Sequence, residues 1–235
     1  MEIVVNIGEP FRGYRDGIVE LRPNVVLVGE VRRHVIVHPP EVVHLFGVRF
    51  HPGGMRPFFD CSITEIADRM LDLRDVWGGL AAEIEERVCE GRSSAERAVL
   101  LERILLARLR EKRMEDPAVE WSVRAIAAHG GQISIPSIAG SIGISERQLE
   151  RRFRHAVGIA PKAFARVARF QRIFRAFEQH GIRRTWVEIA LDCGYYDQAH
   201  FIHDFKSFSG QPPAAYFNDH HLMGDHFLGV MKDER

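Results

Sequence analysis

The sequence is poor in cysteine, and its three cysteines, Cys61, Cys89 and Cys193, are far apart in the chain. A sparse and odd set of this kind favours reduced thiols in the cytoplasm over a disulfide framework. No run of about 18 apolar residues occurs, which argues against a membrane-spanning helix. The N-terminus also lacks a basic segment followed by an apolar one, so the sequence predicts no secretory signal.

Catalytic and metal-binding motifs are missing as well. The sequence contains neither Cys-x-x-Cys nor His-Glu-x-x-His, and neither Cys61 nor Cys89 has a histidine or lysine beside it in the chain. We therefore predict no enzyme, no catalytic residue and no cofactor, although an activity fused to a binding module is the alternative. The histidines His34, His38, His44 and His51 are loosely spaced and form no evident ligand set, so we interpret them as surface or pocket side chains.

Net charge is also absent, since 32 basic residues balance 32 acidic ones. The balance conceals an asymmetry along the chain. Residues 117–218 hold 13 Arg or Lys against 8 Asp or Glu, whereas residues 1–116 hold 17 against 20. A basic module attached to a slightly acidic one is typical of a protein whose basic part binds nucleic acid.

The first fifty residues have the pattern of short strands. β-Branched runs alternate with glycine and proline, which favours a β barrel or sandwich. One run follows Met1 almost directly, so we expect it either to lack an earlier paired strand or to form a protected edge. The runs are Ile3–Val5, Val25–Val28, His34–Val37 and Val43–Phe50.

From residue 62 the hydrophobic period changes to that of helices. A capping box at Ser62–Glu65 predicts a helix of about two turns, and Val76–Cys89 predicts a longer amphipathic one. Ser93 is placed to cap a third helix that carries leucine and isoleucine at helical spacing over residues 101–109. This apolar stripe either packs on its own domain or forms a homodimer interface through the helices of residues 76–111. The sequence leaves both interpretations open.

The segment Ser137–Pro161 has the plan of a helix-turn-helix DNA reader. A short helix is followed by Gly143, which permits the positive φ angle of a tight turn. Ser145 is a natural N-cap for a second helix. That helix directs Leu149 and Phe153 inward and leaves a polar, mostly basic outer face.

The same pattern occurs a second time in the chain. Ile138, Ala139 and Gly143 recur 51 residues later, and after one inserted residue the remaining positions recur 52 residues later. Two tandem copies of one unit are much less expected by chance than one copy. The later copies are Ile189, Ala190, Gly194, Phe201, Phe205, Gly210 and Pro213.

A long apolar helix is predicted between the two copies, from Pro161 to about His180. Twenty residues at about 1.5 Å each extend about 30 Å. Successive major-groove segments on one face of DNA are about 34 Å apart. We therefore interpret the helix as a rigid connector that lets one chain read two adjacent major-groove segments.

Residues 117–217 resemble the DNA-binding domain of the AraC/XylS family of bacterial transcription regulators. Residues 1–116 are similar to an uncharacterised N-terminal domain of some members, mainly through Gly47–Gly54. The residues that carry the C-terminal resemblance are Ile138–Ala139, Ser145–Leu149, Arg152–Phe153, Gly158–Pro161, Ile189–Ala190, Cys193–Tyr195, Asp197–Gln198, His200–Phe201, Asp204–Lys206 and Gly210–Pro213.

The predicted architecture is accordingly α+β in class. We expect a β-rich regulatory or oligomerisation domain with trailing helices at residues 1–116. An all-α domain of two helix-turn-helix units joined by the long helix follows at residues 117–218, and residues 219–235 form a tail. We interpret Cys193, Trp186, Tyr195 and Tyr216 as core residues.

The resemblance also implies the DNA-binding residues. In the first reading helix, Arg147 and Arg151 are placed to bind guanine and Glu150 to accept from cytosine, while Ser145 and Arg154 suit phosphates. His203 departs from the family's usual arginine, so we expect the second copy to bind more weakly or with pH dependence, and the first copy to carry more of the specificity. The second set is Gln198, Ala199, Ile202, His203 and Lys206.

The predicted function is that of a sequence-specific transcription regulator that binds double-stranded promoter or operator DNA. The resemblance admits RNA polymerase and a small-molecule effector as further partners. A small-molecule-binding β domain with a secondary DNA module is the remaining alternative.

Overall fold

A computed structural model describes residues 1–15, 18–21, 23–29, 40–59, 62–110, 116–180 and 185–219. These residues fall into two compact units, the first ending at residue 110 and the second beginning at Asp116. The predicted strand at residues 34–37, and with it His34 and His38, lies outside the described residues, as do Cys61 and nearly all of the predicted tail.

The N-terminal unit contains a four-stranded antiparallel sheet with the order β5-β1-β4-β6 and a separate β2-β3 hairpin. Ile3 lies between Leu27 of β4 and Val48 of β5. The first strand is thus flanked on both sides, so the alternative that it forms a protected edge strand is wrong. The strands are β1 Glu2–Asn6, β2 Arg12–Arg15, β3 Ile18–Leu21, β4 Val25–Val28, β5 Leu45–Arg49 and β6 Met70–Asp72.

The segment after Ser62 differs from the prediction. The capping box is present, but it begins only a single 3-10 turn at Ile63–Glu65. The chain then forms β6, because Met70–Asp72 pairs with β4. Pairing with the sheet has overridden the helical signal of the capping box.

Three helices complete this unit: α1 Leu73–Trp77, α2 Gly79–Glu90 and α3 Ser94–Arg110. The predicted helix from Val76 is therefore interrupted at Gly78, whose φ of 56° breaks the helix. Ser93 caps α3 as predicted, accepting from the backbone N–H of Glu96 at 3.2 Å. The helices cover the sheet and bury one core, which includes Ile3, Leu27, Leu73, Trp77, Ile84, Leu101 and Ile104.

The second unit, as far as the structure describes it, is helical, so the α+β class is confirmed. The predicted connector helix begins at Pro161. Gly143 and Gly194 make the two predicted turns with φ angles of 69° and 80°. The helices are α4 Pro117–Ala128, α5 Ile135–Ser141, α6 Glu146–Val157, α7 Pro161–His180, α8 Trp186–Asp192, α9 Gln198–Ser209 and α10 Pro213–Asp219.

Aromatic packing holds α8, α9 and α10 on the C-terminal part of α7. Phe170 lies 5.1 Å from Phe205, and Phe174 lies 5.8 Å from Tyr216, measured between ring centres. Cys193, Tyr195 and Tyr216 are buried in this core and Trp186 packs against it, as predicted. None of the helices in the described part of the chain has the length and apolarity needed to cross a membrane.

Candidate nucleic-acid interface

Helix α6 is positioned by its cap and by its buried face. Ser145 Oγ accepts from the N–H of Gln148 at 3.3 Å, and the Gln148 side chain accepts from the N–H of Ser145 at 3.0 Å. Leu149 and Phe153 are fully buried. This arrangement leaves Arg147, Glu150, Arg151 and Arg154 exposed on the opposite face.

The four exposed side chains of α6 are not equally available to a ligand. Arg154 donates to Glu150 Oε1 from Nε at 3.1 Å and from Nη2 at 2.7 Å. Within the described residues, the guanidinium groups of Arg147 and Arg151 have no protein partner. These two arginines therefore present all their donors to solvent, whereas Glu150 and Arg154 must exchange an existing contact for a new one.

Helix α9 repeats this construction in the second copy. The Asp197 side chain caps it by accepting from the N–H of His200 at 2.7 Å, and Phe201 and Phe205 are fully buried. The outer face is less charged than that of α6, because only Lys206 carries a permanent positive charge. Of the predicted residues, Gln198, Ala199, His203 and Lys206 are exposed and Ile202 is half-buried.

An ion pair anchors each of the helices α6 and α9. The residue on the helix is the arginine in the first pair and the carboxylate in the second. In the first copy Arg152 of α6 binds Asp116, the N-cap of α4, through two hydrogen bonds of 2.7 and 2.5 Å. In the second copy Asp204 of α9 accepts from Arg166 of α7, with 2.8 Å from Nε. Asp204 is thus a buried structural residue.

The pair in the first copy lowers the pKa of Asp116. Burial alone raises it, but hydrogen bonds from Arg152 and from the N–H groups of Val119 and Ala118 outweigh burial, so the pKa lies below its ordinary value. In the second copy, burial and then the nearby carboxylate of Asp204 raise the pKa of Tyr195. The lowered pKa of Asp116 and the raised pKa of Tyr195 both follow from the surroundings of the two ion pairs.

Asp116→Asn is expected to lower the free energy of unfolding by about 1 kcal/mol at pH 7, since the amide keeps the cap but loses the ion pair. The pKa of Asp116 is lower in the folded protein than in the unfolded chain, where it is about 3.9, so the ionised carboxylate stabilises the fold at higher pH. This stabilisation is lost as the pH falls through the pKa of the folded protein. Urea unfolding at pH 7 and at pH 3 would test this. A difference between parent and variant that is as large at pH 3 as at pH 7 would contradict it.

Tyr196 is a candidate residue that the sequence analysis missed. Its side chain is 87% exposed, and it directly precedes Asp197, the N-cap of α9. It occupies the position of the one residue inserted between the two copies. The insertion was visible in the repeat, but an aromatic side chain by itself favours a core position.

No group of three or more His, Cys, Asp or Glu residues that could hold a metal ion occurs within the ranges described above. His44 and His51 are exposed. Cys89 and Cys193 form no disulfide. Burial, followed by the charge of Glu85, raises the pKa of Cys89. A raised pKa lowers the thiolate fraction and hence the nucleophilicity of this cysteine.

Comparison with known protein families agrees with this geometry. A family described as "Helix-turn-helix domain" matches residues 138–219, a range that contains both α6 and α9. A family described as "Domain of unknown function (DUF6597)" matches residues 1–72. Searches of curated proteins and of solved structures gave no match.

The fold, the basic face of α6 and the helix-turn-helix match define a DNA-binding transcription regulator. More particularly, the matched helix-turn-helix domain is of the AraC type, and together with the N-terminal DUF6597 domain it is consistent with a regulator of the AraC/XylS family.

Proposed function

We propose that the protein regulates transcription by inserting α6 and α9 into adjacent major-groove segments of one operator. The observation that carries this proposal is the repeat of one construction: a capped helix, two fully buried side chains at i and i+4, and an exposed face opposite them. Residues 1–116 act as a separate regulatory domain, residues 117–218 as the DNA-binding domain, and the remaining residues as a tail. No catalytic step is involved.

The first copy carries most of the sequence discrimination. The guanidinium groups of Arg147 and Arg151, which have no partner among the described residues, bind O6 and N7 of guanine in a bidentate manner. Glu150 accepts from a cytosine amino group, and Arg154 and Ser145 bind phosphates that set the register. The ion pair between Glu150 and Arg154 breaks when these side chains contact DNA.

The second copy contributes a weaker and more apolar surface. Ala199 and Ile202 contact thymine methyl groups, and Gln198 suits adenine. Lys206 and Tyr196 bind phosphates. His203 stands where the first copy has Arg151 and lacks the permanent charge of that arginine, so its contact with DNA is the weaker of the two.

Selection of bound sequences from a random double-stranded library tests the proposal directly. The expected product is a two-part motif whose halves are one helical turn, about 10 base pairs, apart. Binding should also weaken steeply with salt, because phosphate contacts release counterions. Selection of a single contiguous motif, short enough to be contacted by one helix, would contradict the use of two reading helices.

Small-molecule control is assigned to the N-terminal domain. A groove of about 240 Å³ lies beside β4 and α2. It contains a polar network in which Glu85 accepts from Asn24 at 3.0 Å and from Arg74 at 2.5 Å. A groove with a polar network of this kind suits a small polar effector. A thermal-shift screen of metabolites against the full chain tests the assignment, and the absence of any stabilising compound would favour a purely oligomerising domain.

Contact with RNA polymerase is assigned to α8. Its outer face exposes Val187 and Leu191, 43% and 56% exposed respectively, beside Glu188 and Asp192. An apolar centre with an acidic border fits a basic protein surface.

Homodimerisation is assigned to the outer face of α3. Val99 and Leu106 lie two turns apart on this face and are 46% and 45% exposed. In an antiparallel pair of α3 helices, Val99 of one copy meets Leu106 of the other, and Glu102 meets Arg103. The face is therefore complementary to itself in both shape and charge, as a two-fold interface requires.

Leu106→Glu is expected to convert the dimer to a monomer, because the substitution places a carboxylate against Val99 of the other copy in each of the two apolar contacts of the interface. Sedimentation velocity at micromolar concentration measures the change. Ala107→Glu is the matched control, since it makes an equivalent substitution on the neighbouring, groove-facing side of α3. If both variants sediment as the parent does, this face is not the interface.

A further inference from the structure

The loop between α4 and α5 contacts the turn of the second helix-turn-helix pair. Gln132 Nε2 donates to the backbone carbonyl of Asp192 at 3.2 Å. The Gln132 side chain also lies directly over Gly194, because a Cβ placed on Gly194 would come within 2.5 Å of Gln132 Cγ. The first copy therefore contacts the second across 60 residues of sequence.

The same loop is pressed against the middle of α7. Gly131 has a φ of 77°, and a Cβ at this position would lie 2.1 Å from the carbonyl oxygen of Ala165. Arg169 of α7 donates to the Gly131 carbonyl at 3.2 Å. Its guanidinium also lies 5.7 Å from the ring centre of Tyr195, in the turn of the second copy. Arg169 thus connects the loop of the first copy with the turn of the second.

These contacts matter because the two helix-turn-helix pairs otherwise pack on different parts of α7. Phe153 of the first pair lies 5.6 Å from Phe164, near the start of α7, whereas the second pair packs on Phe170 and Phe174, further along. A helix 20 residues long bends readily by small amounts. A direct contact between the pairs resists such bending and twisting.

We propose that Gln132 and Arg169 are positioning residues that set the spacing and phase at which the two reading helices meet DNA. This inference rests on the proposed use of both helices. One added base pair rotates one half-site relative to the other by about 35° and moves it by about 3.4 Å. The contacts of Gln132 and Arg169 make the protein reject that change.

The experiment is the random-library selection, carried out on the full chain and on three variants. Gln132→Ala removes the contact with Asp192 at an exposed position. Gln132→Glu keeps the size but directs a carboxylate at a carbonyl, and Arg169→Met keeps the length but removes the donors. Arg124→Met is the matched control, because Arg124 is exposed on α4 and, among the described residues, pairs within that helix, with Glu120 at 2.8 Å.

The parent and Arg124→Met are expected to select two half-motifs at a single spacing. The three test variants should select the same half-motifs with spacers distributed over one or two additional base pairs. On synthetic operators, the affinity lost on adding one base pair should be about three- to tenfold smaller in the variants than in the parent, as expected for one lost hydrogen bond. Circular dichroism melts identify any variant that has lost its fold.

Two results separate the inference from the function on which it rests. A parent that selects only one half-motif overturns the use of two reading helices, and the positioning role with it. A parent that selects two half-motifs, with folded variants that keep the same single spacing, overturns the positioning role alone and leaves the function in place.

Discussion

Arg147→Ala and Arg151→Ala are each expected to reduce discrimination between the selected operator and one with the contacted base changed by about 1–3 kcal/mol, or roughly 5- to 150-fold. Both guanidinium groups face solvent on α6 without a protein partner in the described part of the chain. Alanine therefore breaks no contact among the described residues of the free protein, and the loss of binding measures contacts with DNA. Fluorescence anisotropy with matched and mismatched duplexes provides the measurement.

Base reading and phosphate binding are distinguished by which DNA sequences lose affinity in a variant and by whether the salt dependence of binding changes. Lys206→Ala should weaken binding to all sequences alike and reduce the salt slope by about one. Ala199→Arg would show whether the position equivalent to Arg147 in the second copy can acquire guanine specificity. If Arg147→Ala and Arg151→Ala bind every duplex as tightly as the parent does, α6 is not the reading helix.

Arg166→Met is expected to lower the free energy of unfolding of the DNA-binding unit by about 2–4 kcal/mol. The Asp204 side chain is only 3% exposed, so removal of Arg166 leaves a carboxylate buried without its cation. Arg152→Met removes the equivalent pair of the first copy, but the Asp116 side chain is 28% exposed and regains water. We expect this control to cost about 1 kcal/mol.

Urea unfolding with hydrogen exchange at peptides of α7 and α9 measures both variants. The double variant Arg166→Met, Asp204→Leu should recover most of the loss, since a well-packed apolar pair often replaces a buried ion pair without cost. Equal losses in Arg166→Met and Arg152→Met would show that burial of the carboxylate does not decide the outcome.

Much of the DNA-binding unit could be predicted because its signals are local. Ser145 as cap, Gly143 and Gly194 as turns, Pro161 as helix start, and the pairs of buried residues at i and i+4 all depend on interactions within a few residues. The prediction was wrong where distant pairing prevailed. Met70–Asp72 became a strand because β4 offered a partner, and β1 became an interior strand because β4 and β5 flank it.

The sequence by itself therefore determined the repeated helix-turn-helix pattern and the basic face of α6, and it pointed to the helix-turn-helix domain that the family comparison matches. Periodicity, capping and repetition are properties of the chain, and they need no knowledge of what lies opposite. Only the tertiary structure decided which charges are free and which are paired. Within the described residues Arg147 and Arg151 have no protein partner, whereas Asp204 is buried against Arg166. The Arg166–Asp204 pair and the contact of Gln132 with the second copy depend on residues brought together from up to 60 positions apart.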